Sequence, residues 1–297
     1  MSLLDSLRDN SLARTLLAPA IAMRRSRIRR SMALATQVVA HVREQMVVDP
    51  VMRVDEFGGE FVIDRRSDLF RRLCLDGVYE PGLVGMIRAH LPADRDMIDV
   101  GANIGFYSVL FAKHLGEGRR VLAVEPTSNA LGRLRANLDR NGVVDRVDIF
   151  EGVASSEVGE IEIRTIPGRE EYSSVGELEH PSIGDSEFVT ERVNSRPLDQ
   201  LVEERGLNPG FIKIDVEGVE HLVLAGAEHV LREHRPVVLS ELSDRLLRKN
   251  GSSGPEVVAV FERNGYTVFD ADNPKTKPGH RPLGDVVAFP KELGVSL

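Results

Sequence analysis

The sequence predicts an α/β protein built on a doubly wound, mostly parallel sheet. Three observations lead there. From Met97 onward, short apolar runs alternate with helical patterns about ten to fifteen residues long, the rhythm of strands crossed over by helices. The first apolar run, Met97–Val100, passes directly into a turn with Gly101 and Gly105 and then into a helix. The last two strand-like runs, 266–270 and 285–289, have no helix between them, so they form the antiparallel edge common to such sheets.

The elements follow in order. Residues 1–48 carry Leu, Ala, Ile and Met at helical spacing with one proline, Pro19, and predict a helical N-terminal extension over 1–50. The stretch Phe57-Gly58-Gly59-Glu60-Phe61-Val62-Ile63-Asp64 predicts a short hairpin, a turn followed by alternation. Helices are expected at 68–75 and 83–91, separated by the breaker Gly77-Val78-Tyr79-Glu80-Pro81-Gly82. Strand 97–100 leads to helix 105–115, and strand 120–124 leads to helix 129–141, which stops at Asn141-Gly142. Strand 147–151 precedes a β-rich excursion at 160–196. Then come helix 198–205, strand 211–215, helix 219–233, strand 236–240 and helix 255–264.

Composition narrows the classes. The chain has 297 residues, 42% hydrophobic and 28% charged, enough for one large domain with an extension. A net charge of -8 argues against nucleic acid as a partner. One cysteine, Cys74, excludes an internal disulfide framework and reads as a small core residue, which fits a reducing, cytoplasmic setting. The apolar run Leu12–Met23 has its basic residues after it rather than before it, unlike a secretory leader. Those residues, Arg24, Arg25, Arg27, Arg29 and Arg30, suit peripheral contact with the inner membrane face, a solvated helix face or a contact within a homo-oligomer.

In open α/β sheets the ligand lies outside the carboxyl ends of the strands. After the first strand stand Asp99, Gly101, Ala102, Asn103, Gly105, Phe106 and Ser108. The glycines are spaced G-x-x-x-G rather than the G-x-G-x-x-G of a dinucleotide site, which points to S-adenosylmethionine rather than NAD. Glycine there lets backbone approach a small ligand. Glu125-Pro126 follows the second strand, and an ionised carboxylate there is suited to accept hydrogen bonds from a ribose diol. Val153 and Ala154, after the third strand, either flank an adenine ring or pack.

The fourth strand ends in Lys213-Ile214-Asp215-Val216-Glu217-Gly218, with Glu220 and His221 beyond. Lys213 and Asp215 share a strand face, and Glu217 and His221, four apart, share a helix face. Glu241 follows the fifth strand. Lys213, Asp215, Glu217, His221 and Glu241 are the candidates for acceptor binding and proton transfer. Oxygens of Asp215, Glu217 and Glu241 are alternatively a site for a hard cation such as Mg2+. A structural Lys–Asp pair with a dipole-favoured Glu is the bland alternative. Tyr79 and Glu80, ahead of the first strand, either meet the amino group of the methionine part or simply break a helix.

These residues resemble the FkbM family of S-adenosylmethionine-dependent methyltransferases. The resemblance rests on Tyr79-Glu80, on the run from Ile98 to Ser108, on Glu125-Pro126, and on Phe211 to Glu220 followed by Val223-Leu224-Ala225-Gly226-Ala227. It implies a class I methyltransferase fold, Rossmann-like, with a seven-stranded sheet, as a single domain over residues 51–297. It also implies methyl transfer to oxygen, with a small-molecule or glycan hydroxyl as acceptor: a bacterial sugar, glycan, glycolipid or natural product. The polar excursion, with Glu170, Glu171, Ser173 and Ser174, suits such acceptors. Transfer to nitrogen of a peptide or small amine, and a non-catalytic scaffold, are the rival expectations.

Overall fold

The computed structural model describes residues 33, 35–37, 39–40, 48–165, 173–174, 188–280 and 283–296. The arginines at 24–30 and Glu170–Glu171 lie outside these residues. Of the N-terminal extension, Ala33, Ala35–Gln37 and Val39–Ala40 are helical, and Val39 packs against the core.

A hairpin comes first, with strands β1 (Val51–Val54) and β2 (Gly59–Val62) around a 3-10 turn at Asp55–Phe57 that Gly58 closes at φ +65°. The hairpin expected from Phe57 therefore begins six residues earlier, because Phe57 is a buried turn residue rather than a strand residue. Helix α1 (Asp68–Asp76) is capped by Ser67, whose hydroxyl accepts the Phe70 N–H at 3.1 Å, and it ends at Gly77 in the left-handed region. Helix α2 (Pro81–Arg88) starts on proline, whose missing N–H costs nothing there.

The alternation then runs as expected: β3 (Asp96–Val100), α3 (Phe106–His114), β4 (Val121–Glu125), α4 (Ser128–Arg140) and β5 (Val147–Ala154). The excursion supplies β6 (Gly159–Thr165), β7 (Ser173–Ser174) and β8 (Val189–Arg196). Helix α5 (Leu198–Arg205), strand β9 (Pro209–Ile214), helix α6 (Glu220–Ala225), strand β10 (Val237–Ser243), helices α7 (Asp244–Lys249) and α8 (Gly254–Arg263), and strands β11 (Tyr266–Asp270) and β12 (Leu283–Pro290) complete it.

The single helix expected over 219–233 is broken at Gly226. Its backbone passes so close to β5 that an added Cβ would lie 2.0 Å from the Ser155 carbonyl oxygen. The Gly226 carbonyl accepts the Asp199 N–H, while the Asp199 carboxylate takes the N–H groups of His229 and Val230 and starts a separate π-turn at Val230–His234. Helix α7, six residues long, is too short to leave a periodic signal.

Among the described residues the large sheet has ten strands, ordered β11-β12-β10-β9-β3-β4-β5-β8-β6-β7. Strands β5, β4, β3, β9 and β10 run parallel, and β12 lies antiparallel between β10 and β11. The seven-stranded expectation covers β11 to β5. The sheet is wider because β5 continues past Glu151, and Gly152–Ala154 pair with β8, which brings β6 and β7 along.

Alternation divides the core. Met97, Phe211, Leu239 and Val287 face α2, α3 and the hairpin, while Ile98, Ile212, Val238 and Ala288 face the layer containing Leu224, Leu231 and Phe261. Asn137 ties the hairpin to this layer: its side chain accepts the Val62 N–H at 2.7 Å and donates to the Ile104 carbonyl at 2.8 Å. No helix among the described residues is long and apolar enough to cross a membrane.

Candidate active site

The carboxyl ends of β3, β4, β9 and β10 meet at one edge of the sheet, with Asp285 of β12 beside them. At Gly101, φ is +77° and an added Cβ would lie 1.9 Å from the Asp215 carbonyl oxygen. The close approach expected of a ligand is thus used by the chain itself, which locks the turn against the end of β9. The Gly101 and Ala102 N–H groups both donate to the Val124 carbonyl at 3.0 Å. Asn103 has φ +50°, and Gly105, at φ +91°, leaves room for Leu134.

Asp99 is wholly buried. Ser108 donates to its Oδ2 at 2.6 Å, and Oδ1 has no hydrogen-bond partner. Burial pushes the Asp99 carboxyl up against the opposing pull of Lys213. Phe106 is a core residue, its ring 4.9 Å from that of Phe57. Phe106 thus packs against the hairpin, and Ser108 supports Asp99.

Glu125 is buried and accepts three hydrogen bonds: Asn103 N–H to Oε2 at 2.8 Å, and the Thr127 N–H and hydroxyl to Oε1 at 2.9 and 2.7 Å. Burial raises its carboxyl and these bonds oppose the rise. An ionised carboxylate has about four acceptor positions, so one remains, on Oε2. Pro126 is half-buried. Val153 and Ala154 belong to β5 rather than to a loop after it. Ala154 packs in the core with Leu198 and Leu201, the packing alternative, and Val153 pairs in register with Ser195.

The Lys213 ammonium lies 2.9 Å from Asp215 Oδ2, 3.9 Å from Asp99 Oδ1 and 4.7 Å from the centre of the Tyr107 ring. Burial works against its charge, but Asp215 and Asp99 outweigh this and raise its pKa. Tyr107 donates to Glu80 Oε2 at 2.8 Å, and Glu80 holds the left-handed cap position of α2 at φ 49°. Tyr79 lies against Phe106, with the Arg72 guanidinium 4.5 Å from its ring centre.

Glu241 lies inside β10, not after it, directly opposite Asp285 of β12. Since Ser240 pairs with Ile214, Asp215, Glu241 and Asp285 form one lateral row on neighbouring strands. Crowding by Asp215, then burial, raises Glu241 to about 9. Burial, then Glu80 and Asp215, raises Asp285 to about 7. Burial, then Asp215, raises Glu217 to about 7.

Two expectations are corrected here. Glu217 and His221 do not share a helix face, because α6 begins only at Glu220. His221 titrates under burial and the influence of Glu256, not of the Asp215 row. Asp215, Glu217 and Glu241 do not gather around a metal position: among the described residues no three His, Cys, Asp or Glu side chains do. Sequence reasoning missed Asp285 and Tyr107. Asp285 joins the site only through the β10–β12 pairing, and the Tyr107–Glu80 bond likewise has no local signal.

The order β5-β4-β3-β9-β10-β12-β11, with the glycine turn after the central strand and acidic residues after its neighbours, is the class I methyltransferase fold. The chain belongs to the FkbM methyltransferase family: the model of the methyltransferase FkbM domain matches residues 99–268. It is 32% identical over 206 residues to the 31-O-demethyl-FK506 methyltransferase FkbM of Streptomyces tacrolimicus, covering 60% of this chain and 75% of that one. It is 28% identical over 235 residues to the AMB antimetabolite synthetase AmbE of Pseudomonas aeruginosa, covering 67% of this chain but only 10% of the synthetase. The hexuronic acid methyltransferase AglP of Haloferax volcanii is 26% identical over 220 residues, covering 72% of this chain and 80% of AglP. A crystal structure of a methyltransferase FkbM from Methylobacillus flagellatus aligns with TM-score 0.43 and 20% identity over 66% of this chain and 44% of that one.

Proposed function

We propose that this chain is an S-adenosylmethionine-dependent O-methyltransferase whose acceptor is a hydroxyl of a sugar, glycan, glycolipid or natural product. The observation that carries this reading is the convergence of the glycine turn, Glu125 and the Lys213–Asp215 pair at one edge of the sheet.

The cofactor fits the residues present. Asp99 Oδ1 and Asn103 Oδ1 are buried acceptors without donors, and the cofactor brings an ammonium and ribose hydroxyls. Glu125 retains an acceptor position for a ribose hydroxyl. The bound cofactor supplies a methyl group already made electrophilic by its sulfonium. The chain's own work is to orient the acceptor and take its proton. Lys213 fixes Asp215 at the mouth of the cleft. Glu217, at about 7, is matched to removing a hydroxyl proton near neutrality. Glu241, at about 9, keeps its proton there, which leaves it able to donate a hydrogen bond to the acceptor. Relatives named for a 31-O position and for a hexuronic acid support an oxygen acceptor.

The test is calorimetric titration with S-adenosylhomocysteine, followed by transfer of labelled methyl to a panel of hydroxyl compounds. Binding and label on oxygen support the reading, while folded protein that binds no S-adenosylhomocysteine overturns it.

A further inference from the structure

We propose that Arg72 binds the carboxylate of the cofactor's methionine part, so that the amino-acid head group is held between Arg72 and the acidic floor of the cleft. The inference rests on the methyltransferase reading above and adds to that site a residue outside the glycine turn and the strand ends.

The local chain explains where Arg72 stands. Helix α1 ends at Gly77, whose φ of +73° and N–H bond to the Leu73 carbonyl reverse the chain. Tyr79 folds back against the helix, so that its ring centre lies 4.5 Å from the Arg72 guanidinium. The same ring meets Phe106 at 5.6 Å between centres, and Phe106 opens α3 directly after Gly105. Arg72 is thus one ring away from the end of the glycine turn. Burial, then Glu80 and Asp215, raise the Tyr79 hydroxyl, and Arg72 opposes them. Arg72, Glu80 and Asp215 therefore all act on one hydroxyl.

Two observations ask for an anion at Arg72. The first is its lack of a partner. Arg72 is half-buried and lies against the Tyr79 ring, but it makes no hydrogen bond or ion pair among the described residues. An aromatic face holds a guanidinium without using its N–H donors, and those donors form the fork that fits a carboxylate. Glu80 does not occupy them. It accepts from Tyr107 instead, and its side chain gives α2 no cap although its backbone is held at φ 49°.

The second observation is that the glycine turn has no donor for the cofactor's carboxylate. The N–H groups of Gly101 and Ala102 go to Val124, that of Asn103 to Glu125, and that of Gly105 to Ala102. Lys213 is hydrogen-bonded to Asp215 and lies 3.9 Å from Asp99. The ammonium of the head group, by contrast, has Asp99 Oδ1, which lacks a donor. A carboxylate brought in among Asp99, Asp215 and Glu80 is repelled unless a cation meets it. Arg72 is the cation with open donors beside the turn.

The experiment is calorimetric titration of the full chain with S-adenosylhomocysteine and with S-adenosyl-3-thiopropylamine, which keeps the ammonium and lacks the carboxylate. Wild-type protein is expected to bind the decarboxylated compound at least about tenfold more weakly, the effect of a charge-assisted hydrogen bond. Arg72→Met should weaken S-adenosylhomocysteine by the same factor and leave the decarboxylated compound unchanged. Arg72→Lys, which keeps the charge without the fork, should lie between and is the second variant should Arg72→Met not fold. Equal weakening of both ligands by Arg72→Met would make the stack on Tyr79 a structural support and overturn the proposal. Wild-type protein indifferent to the carboxylate overturns it too, and so does Arg72→Met that binds S-adenosylhomocysteine as wild type does. Failure of wild-type protein to take up S-adenosylhomocysteine overturns the underlying methyltransferase reading, and this inference falls with it.

Discussion

The Glu125 carboxylate holds the glycine turn by accepting the Asn103 N–H at 2.8 Å, while its other oxygen takes both donors of Thr127. The residue expected to clasp a ribose is therefore also a brace between the loops after β3 and β4. Glu125→Ala strands two backbone N–H groups, each worth about 1–3 kcal/mol when buried and unpaired. S-adenosylhomocysteine affinity should fall at least about tenfold and the melting temperature should drop with it. Glu125→Gln, which keeps an acceptor oxygen, should lie between. Calorimetry paired with thermal melts checks this. Unchanged affinity in Glu125→Ala would remove Glu125 from the cofactor site.

Lys213 is the buried cation between two carboxylates. Lys213→Met leaves Asp99 wholly buried with only Ser108 as a hydrogen-bond partner. Breaking such a buried pair from one side costs about 3–5 kcal/mol. Lys213→Met with Asp99→Asn removes the stranded charge and should recover a large part of that loss. Urea unfolding of the two variants measures it, and equal stability of single and double variants would show that Asp99 does not depend on Lys213.

Much of this was legible because it is local. The strand–glycine–helix joint at 97–108, the Leu198–Arg205 helix with Gly206 after it, and the final strand pair each carry their own signal, and each stands in the structure. What the sequence hid was lateral. Asp215, Glu241 and Asp285 become neighbours only through β9–β10–β12 pairing, at separations no periodicity reports. Gly226 looked like a tolerable helix interior until Ser155 came against it, and Glu217 looked helical until α6 began three residues later. Ala154, small and apolar beside a cleft, carried both readings, and only burial chose between them.

Gly101→Ala tests whether the turn is shaped by the chain or for the cofactor. A methyl group there would lie 1.9 Å from the Asp215 carbonyl oxygen, and φ +77° is costly for any L side chain. Left-handed geometry alone costs about 1–2 kcal/mol, and the backbone overlap adds to it. Because the displaced group is Asp215 itself, the variant should lose methyl transfer as well as stability. Gly118→Ala also places alanine at positive φ, +71°, but meets nothing within 4 Å, so it isolates the strain from the overlap. Matching losses in the two would remove the Asp215 contact as the cause.

The raised carboxylates Glu217, Glu241 and Asp285 make stability fall as pH rises. Glu217 and Asp285 are raised to about 7 and Glu241 to about 9, all above their unfolded values. The folded state therefore holds protons that the unfolded chain has released, and unfolding becomes easier with each step up in pH. This contribution is fully present below the unfolded carboxylate pKa near 4. It declines through 7 as Glu217 and Asp285 ionise and is spent above 9, when Glu241 follows. All three are partly open to the cleft, so solvent damps the effect. Melting temperatures taken from pH 5 to 9 should decline, and Glu241→Gln with Asp285→Asn should flatten the upper half of the decline. A melting temperature that rises steadily toward pH 9 would mean that the row ionises without mutual penalty, and its carboxylates would then be no closer in effect than scattered surface acids.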